Sequence, residues 1–470
     1  MYKQAKQPVH FVGIGGIGMS GIAEILCRMG FPVSGSDIAD SSTIQNLKKI
    51  GVRIHFGHHA EHLGDARVVV ISSAIAANNA EILAAKQRGL PIVPRAEMIA
   101  ELMRLKYGIA VAGTHGKTTT TSMLGSIAAH CSQDPTIIVG GKVDQLGGNA
   151  KLGSGRFLIA EADESDGSFL SLSPVINIIT NIDNDHLDHY GNMERLRMAF
   201  ISFANKVPYY GRNILCLDDP ELQKILPLLE RPKWTYGFKA EADFSLSDFK
   251  AASNDHSVFK IHHQGGLFAE VELPRPGKHN ALNATAALLA ALEMDIPLKA
   301  AIQALAKFAG VGRRFEDRGR LKQPSVRIID DYGHHPTEIT ATLASARQVQ
   351  KPKERLIVAF QPHRYSRTQM CWDQFEESFK LADVIIMADV YAAGEKELPG
   401  IDSQSLVKHC NKGNKTDSPK NSRFQYGGSL EQCAALLKNI LKKDDLLITL
   451  GAGSITQLPT LLLENSSSQD

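Results

Sequence analysis

The sequence predicts an α/β protein of two to four domains, laid out in three blocks along the chain. Three observations predict it. Short apolar runs of strand length recur along the chain, each followed by a helical pattern, which is the rhythm of a parallel sheet. Two glycine-rich loops, Gly13–Gly18 and Gly113–Gly116, each lie between such a run and the start of a helix. At 470 residues the chain is too long for a single core.

In residues 1–106, strands are expected at His10–Ile14, Val33–Asp37, Val68–Ser72 and Pro91–Val93. Helices are expected at Met19–Met29 and Ser42–Ile50. Residues 107–320 open on the strand Ile109–Ala112 and continue with strands at Thr136–Val139, Phe157–Glu161 and Val175–Asn181. The alternation of Val258–Leu273 around Gln264-Gly265-Gly266 predicts a hairpin, and Ala281–Glu293 a helix. Residues 321–470 repeat the rhythm with strands at Val326–Asp330, Leu356–Phe360, Val384–Met387 and Leu446–Leu450. The polar stretch Asn411–Ser422 reads as an exposed loop, and Asn465–Asp470 as a disordered tail.

Composition excludes several classes. Lysine and arginine number 52 against 50 acids, mixed along the chain, so no nucleic-acid surface is expected. No run approaches the length of a membrane span, and the N-terminus lacks the apolar segment of a signal peptide. Six scattered cysteines without a CxxC pair read as reduced thiols, which places the chain in the cytoplasm.

The loop Gly113-Thr114-His115-Gly116-Lys117-Thr118-Thr119 follows a buried-type strand and opens a helix. Backbone N–H groups at a helix N-terminus face an anion, Lys117 adds a charge, and the Thr118 hydroxyl can hold Mg²⁺. The loop is shorter than a standard Walker loop, because Val111 stands where the first glycine is usual. Gly13, Gly15, Gly16 and Gly18 fit G-x-G-x-x-G after the first strand, and Asp37 ends the next strand where a ribose-binding acid belongs. Alone, this loop says NAD; a sugar-nucleotide diphosphate satisfies the same physics, and the second nucleotide loop favours that reading over a dehydrogenase.

Glu161-Ala-Asp163-Glu164-Ser-Asp166 ends a strand beside the phosphate loop, where Mg²⁺ is usually held, and Glu161 is the best candidate ligand. Asn181-Ile-Asp183-Asn-Asp185-His186-Leu-Asp188-His189 crowds acids and imidazoles at another strand end. Without HExxH or cysteine ligands, a second metal or a substrate role fits it better than zinc. Asp330–Glu338 and Gln361–Thr368 close two strands of the third block, where open α/β sheets place ligands. Arg364 and Arg367 could clamp phosphate or carboxylate there.

Taken together these motifs resemble the Mur ligases, the ATP-dependent amide-forming enzymes of bacterial peptidoglycan assembly. The resemblance covers essentially the whole chain. The loop Gly113–Thr119, Glu161, the run Asp185-His186-Leu187-Asp188 and Gly277-Lys278-His279-Asn280 carry it at family level. Gly13–Gly18 followed by Met19, His115, Asp330–Glu338 and Gln361–Thr368 point to the alanine-adding branch. A branch that attaches a preformed peptide is the nearest rival.

The resemblance implies three domains: a Rossmann-like one at 1–106 (UDP-substrate), a central P-loop ATPase-type α/β one with an extra β-hairpin at 107–320 (ATP and Mg²⁺), and a second Rossmann-like one at 321–470 (incoming amino acid, closing on ATP). It implies UDP-N-acetylmuramate, L-alanine and ATP as substrates, Mg²⁺ or Mn²⁺ as cofactor, no NAD, and a monomer or homodimer. Gly13, Gly15, Gly16, Gly18, Asp37, Ser72, Arg95 and Arg367 would serve the UDP-substrate. Residues 113–119 with Asn280, Asn283, Arg313 and Asp331 would serve ATP. Thr118, Glu161 and His186 would hold metal. Tyr332 and His334 would face the amino acid, and Lys117, His334 and Arg364 would act in catalysis. Between residues 195 and 205 there is no lysine, so the carbamylated lysine of other Mur ligases is not expected.

Overall fold

The structure, a computed structural model, describes residues 6–72, 74–143, 148–252, 255–351, 354–412 and 422–467. Residues 413–421 of the expected polar loop and 468–470 of the tail lie outside these. The chain divides into two compact units. The first comprises Met1–Ser247, Lys260–Val271 and Leu282–Phe308; the second comprises Asp248–Phe259, Glu272–Ala281 and Ala309–Asp470.

A five-stranded parallel sheet opens the first unit: β1 Val9–Val12, β2 Val33–Asp37, β3 Arg53–Phe56, β4 Val68–Ile71 and β5 Ile92–Pro94, in the order β3-β2-β1-β4-β5. β1 is buried along its whole length, as a central parallel strand covered on both faces must be. The chain reverses direction in the sheet beside β1, so the loop that follows β1 lies at a switch point.

The second sheet has ten strands: β6 Tyr107–Ala112, β7 Thr136–Val143, β8 Gly148–Lys151, β9 Phe157–Glu161, β10 Ile176–Ile179, β11 Arg212–Cys216, β12 Lys233–Gly237, β13 Phe244–Ala251, β14 Ser257–His263 and β15 Gly266–Leu273. Their order is β15-β14-β13-β12-β11-β10-β6-β9-β7-β8. β6 lies between β10 and β9 and is parallel to both. The C-terminal ends of these three strands therefore deliver the phosphate loop, the Asn181 loop and the Glu161 loop to one edge. The expected hairpin is β14 and β15.

The second unit carries β16 Glu316–Leu321, β17 Val326–Asp331, β18 Leu356–Phe360, β19 Val384–Ala388, β20 Phe424–Gly428 and β21 Leu446–Leu450, in the order β16-β17-β21-β18-β19-β20. β16 is antiparallel to β17, and the other pairs are parallel. The expected boundary at 320/321 falls inside β16. Strand alternation splits the core in two: Ile329, Val358, Phe360, Ile385 and Ile448 pack on one face, and Ile328, Ile357, Ala359, Ile386 and Leu447 on the other.

Helix starts follow local chemistry. Ser41, Asn192 and Asp402 accept from backbone N–H groups of the first turn, and His335/Glu338 and Ser429/Gln432 form capping boxes. The last helix runs Leu458–Ser467, so residues 465–467 of the expected disordered tail are helical: that tail extends a helix whose start is anchored by buried Leu458 and Leu462.

Candidate active site

The loop after β1 is tied down by its own backbone. Gly13 is left-handed at φ +75°, and the N–H groups of Gly13 and Ile14 both donate to the Ser36 carbonyl at 2.8 and 2.9 Å. The Asp37 carboxylate accepts from Gly15 N at 2.8 Å and Ala39 N at 3.1 Å, which ties the end of β2 to this loop. A Cβ on Gly18 would lie 2.2 Å from an Arg95 guanidinium nitrogen, so the glycine makes room for that arginine. Arg95 in turn stands 3.8 Å from Asp163. Ser72 is half-buried just past β4, its carbonyl taken by Ile75 N–H. Beneath the loop, the fully buried Glu81 accepts from Ser36 Oγ at 2.6 Å and meets His10 and His58 at 3.2 and 2.9 Å. Sequence reading missed this support; an apolar-strand histidine at position 10 was its one signal.

The phosphate loop is gripped by the Asn181 loop. His115 N donates to Asn181 Oδ1 at 2.8 Å, Asn181 Nδ2 and Thr180 Oγ1 donate to the His115 carbonyl, and Asp183 N donates to Thr114 Oγ1 at 2.9 Å. The His115 ring meets Asp183 at 2.9 Å. Gly113 and Gly116 are left-handed at φ +121° and +86°, and Gly116 opens the helix Lys117–His130. Thr119 lies half-buried in its first turn.

Lys117 Nζ donates to the Gly113 carbonyl at 2.7 Å and to Glu164 Oε1 and Oε2 at 3.0 and 2.9 Å. Burial pulls this ammonium's pKa down, but the charges of Glu164, Asp163 and Glu161 outweigh burial and raise it. Glu161 is held by Gly140 N–H at 2.8 Å and by the Thr118 hydroxyl, and its buried Oε1 has no partner among the described residues. Burial raises its pKa. A buried carboxylate oxygen without a donor, beside a threonine hydroxyl, is a donor set suited to a hard divalent cation. His186 is left-handed at φ +60°, with Nε2 3.6 Å from Asp185 and 3.8 Å from Glu164.

Asn280 and Asn283 lie one turn apart on the helix Lys278–Glu293, both nearly buried. Asn280 Nδ2 donates to the Pro276 carbonyl at 2.7 Å. A Cβ on Gly116 would lie 2.7 Å from Asn283 Oδ1, so this amide borders the phosphate loop.

In the second unit, Arg313 is left-handed at φ +57°; its Nη2 donates to the Gly451 carbonyl at 2.6 Å, and its guanidinium lies over the Tyr332 ring. Asp331 is nearly buried, and its carboxylate accepts from Phe315 N and Gly333 N at 2.7 and 2.8 Å. It shapes the turn into the next helix rather than presenting a free carboxylate. His334 and His363 face each other at 5.5 Å, with Arg367 Nη1 3.3 Å from His363 Nδ1. Burial lowers His334 to about 4, against the charge of Glu338 and with help from Arg367. Burial, then Arg367 and Arg364, lower His363 to about 4. Arg364 is left-handed at φ +67°, bonded through its N–H to the Tyr391 carbonyl and 4.0 Å from Glu395. These residues form a basic, imidazole-rich surface at the ends of β17 and β18.

Comparison with known proteins matches this order of domains. Residues 8–107 match the Mur ligase family catalytic domain, 111–291 the Mur ligase middle domain, and 313–453 the Mur ligase glutamate ligase domain. The chain is 49% identical to the UDP-N-acetylmuramate–L-alanine ligase of Solidesulfovibrio magneticus, over 97% of this chain and 98% of that one. It is 48% identical to the same-named enzyme of Nitratidesulfovibrio vulgaris, with the same coverage. Among solved structures it resembles the UDP-N-acetylmuramate-alanine ligase of Thermotoga maritima, at a TM-score of 0.79 and 29% identity over 99% of this chain and 100% of that one. A murein peptide ligase of Psychrobacter arcticus shares the fold at a TM-score of 0.68 and 24% identity, over 99% of each chain. The chain belongs to the Mur ligase family.

Proposed function

We propose that the chain is an ATP-dependent ligase that joins L-alanine to the carboxylate of UDP-N-acetylmuramate, the first amino-acid addition in peptidoglycan precursor synthesis. The observation that carries this is near-half identity, over nearly the full length, to enzymes bearing that name. The phosphate loop, with Lys117 and Thr118 at its end, supports ATP as the energy source.

A carboxylate resists attack by an amine, so it is first phosphorylated. One carboxylate oxygen attacks the γ-phosphorus of ATP and ADP leaves. The amine of L-alanine then attacks the acyl carbon of the acyl phosphate, a tetrahedral intermediate forms, and inorganic phosphate departs with that oxygen. Two anions must meet in the first step, so cations decide its rate. Lys117 would neutralise the transferring phosphate. Glu161, Thr118 and His186 would hold Mg²⁺ (or Mn²⁺), which supplies further positive charge when bound.

The Gly13–Gly18 loop, with Arg95 and Ser72 beside it, would receive the UDP diphosphate. Arg313 and the Asn280 and Asn283 amides would bind ATP, and Asp331 would shape the loop that reaches it. Tyr332 and His334 would line the alanine site. Arg364 and Arg367 would fix the reacting end of the substrate, and His334, beside His363 at 5.5 Å, would act with Lys117 and Arg364 in catalysis. We place the domains at 1–106, 107–320 and 321–470, and the enzyme in the cytoplasm as a monomer or homodimer; among the described residues no helix is long and apolar enough to cross a membrane.

Carboxylate-labelled ¹⁸O-UDP-N-acetylmuramate tests the reading. Product heavier by one alanyl residue, with one ¹⁸O transferred to phosphate, is expected. Absence of alanylated product would refute the activity, and absence of label in phosphate would refute the acyl phosphate.

A further inference from the structure

Glu164 is not among the residues that the mechanism uses, yet its carboxylate is turned wholly onto Lys117. Its side chain is 1% exposed, and both oxygens lie within 3.0 Å of Nζ. Lys117 also donates to the carbonyls of Gly113 at 2.7 Å and Thr114 at 3.2 Å. An ammonium has three donors. All of them are committed before any phosphate arrives.

We propose that Glu164 is a positioning residue, a displaceable counter-ion for Lys117, and that its displacement makes nucleotide binding depend on a divalent cation. A phosphate can reach Nζ only by replacing the carboxylate. The main chain at Glu164 is held, its carbonyl accepting from Tyr190 Oη at 2.5 Å and Gly167 N at 3.1 Å, so the carboxylate leaves by side-chain rotation alone. After the exchange, Glu161, Asp163 and Glu164 would face the phosphates with Lys117 as the near cation and Arg95, 3.8 Å from Asp163, as a second. Repulsion between anions a few ångströms apart in partly buried surroundings is worth on the order of 100-fold in affinity or more. A divalent cation at Glu161 would relieve it; His186 lies 3.8 Å from Glu164 Oε1 already. The protein thus holds Lys117 extended and ready while disfavouring metal-free nucleotide, which cannot react.

The inference rests on the assignment of the Gly113–Thr119 loop to ATP, and its test separates the two. ADP binding to the wild type, Glu164→Gln and Lys117→Ala is measured by calorimetry with Mg²⁺ and with EDTA. The wild type is expected to lose on the order of 100-fold in affinity without Mg²⁺. Glu164→Gln is expected to lose less than about tenfold, because its metal-free complex tightens. Its affinity for UDP-N-acetylmuramate stays unchanged. Equal Mg²⁺ dependence in wild type and Glu164→Gln overturns the role of Glu164 alone. No ADP binding, or binding indifferent to Lys117→Ala, overturns the loop assignment and the inference with it. Should Glu164→Gln fail to fold, a crystal structure of the wild type with Mg²⁺–ADP decides: nucleotide phosphate on Lys117 with Glu164 released supports the exchange, and nucleotide bound with the pair intact refutes it.

Discussion

Gly116 and Asn283 stand so close that a Cβ on the glycine would lie 2.7 Å from the asparagine Oδ1. The phosphate loop is thus walled by a residue far along the chain, on the helix Lys278–Glu293. Gly116 also sits at φ +86°, where a Cβ is strained. Gly116→Ala is therefore expected to cost about 1–3 kcal/mol of stability and to raise the KM for ATP. Asn283→Ala, which removes the wall but keeps the turn, is expected to raise the KM for ATP with little change in melting temperature. Denaturant melts beside ATP-dependence curves check both; an unaltered KM in both variants would detach this helix from the nucleotide site.

Lys117→Ala removes the one cation that the loop itself supplies. It is expected to lower kcat by roughly 10²- to 10³-fold, the usual loss when a group stabilising transition-state charge is removed. Binding of UDP-N-acetylmuramate should be untouched, since that substrate is assigned to the Gly13–Gly18 loop. Turnover near the wild-type rate would refute the loop's role.

Glu161 leaves one buried oxygen without a donor among the described residues. Glu161→Gln is expected to raise the Mg²⁺ concentration for half-maximal phosphate release at least about tenfold, given that even outer partners of metal ligands cost that much. In the same assay EDTA abolishes release and Mn²⁺ restores it. A Glu161→Gln enzyme with the parent's Mg²⁺ curve would move the metal elsewhere.

Acid is expected to destabilise the second unit. Burial lowers His279, His334 and His363 each to about 4 in the folded chain, from 6.5. Between those values the unfolded chain binds more protons, so stability falls as pH drops from 6.5 towards 4 and is indifferent to these groups above 6.5. Each fully lowered histidine contributes up to about 1.4 kcal/mol per pH unit within that window. Melting temperature should decline between pH 6.5 and 5, and less steeply in His279→Asn. A flat profile would place these imidazoles in water.

The central strands of the first and third sheets were legible because they are covered on both faces and therefore continuous in apolar residues, whereas β11 and β12, inside the ten-stranded sheet and interrupted by polar residues, were not. Val326–Asp330, Leu356–Phe360 and Leu446–Leu450 are found within a residue of their expected bounds. The edge strands β3 and β16 escaped, although the edge strands β5 and β15 did not. Arg53-Ile-His-Phe in β3 and Glu316-Asp-Arg-Gly-Arg-Leu in β16 are largely exposed or half-buried, and only pairing to a neighbour makes them strands. Site motifs were legible where a loop must follow a strand end, as at Gly113–Thr119. Partners set by packing were not: nothing in Glu-Ala-Asp-Glu tells Glu161, with its unpartnered oxygen, from Glu164, which is spent on Lys117. Asp37 and Asp331 show the converse, acids in the expected places whose oxygens accept from backbone N–H groups of neighbouring loops, at Gly15 and Phe315.

The most direct measurement is phosphate release from ATP in the presence of UDP-N-acetylmuramate, with L-alanine, other amino acids or a preformed peptide as donor. Release that requires both UDP-N-acetylmuramate and L-alanine is the predicted result. Release that requires the peptide, or none with any donor, would contradict it.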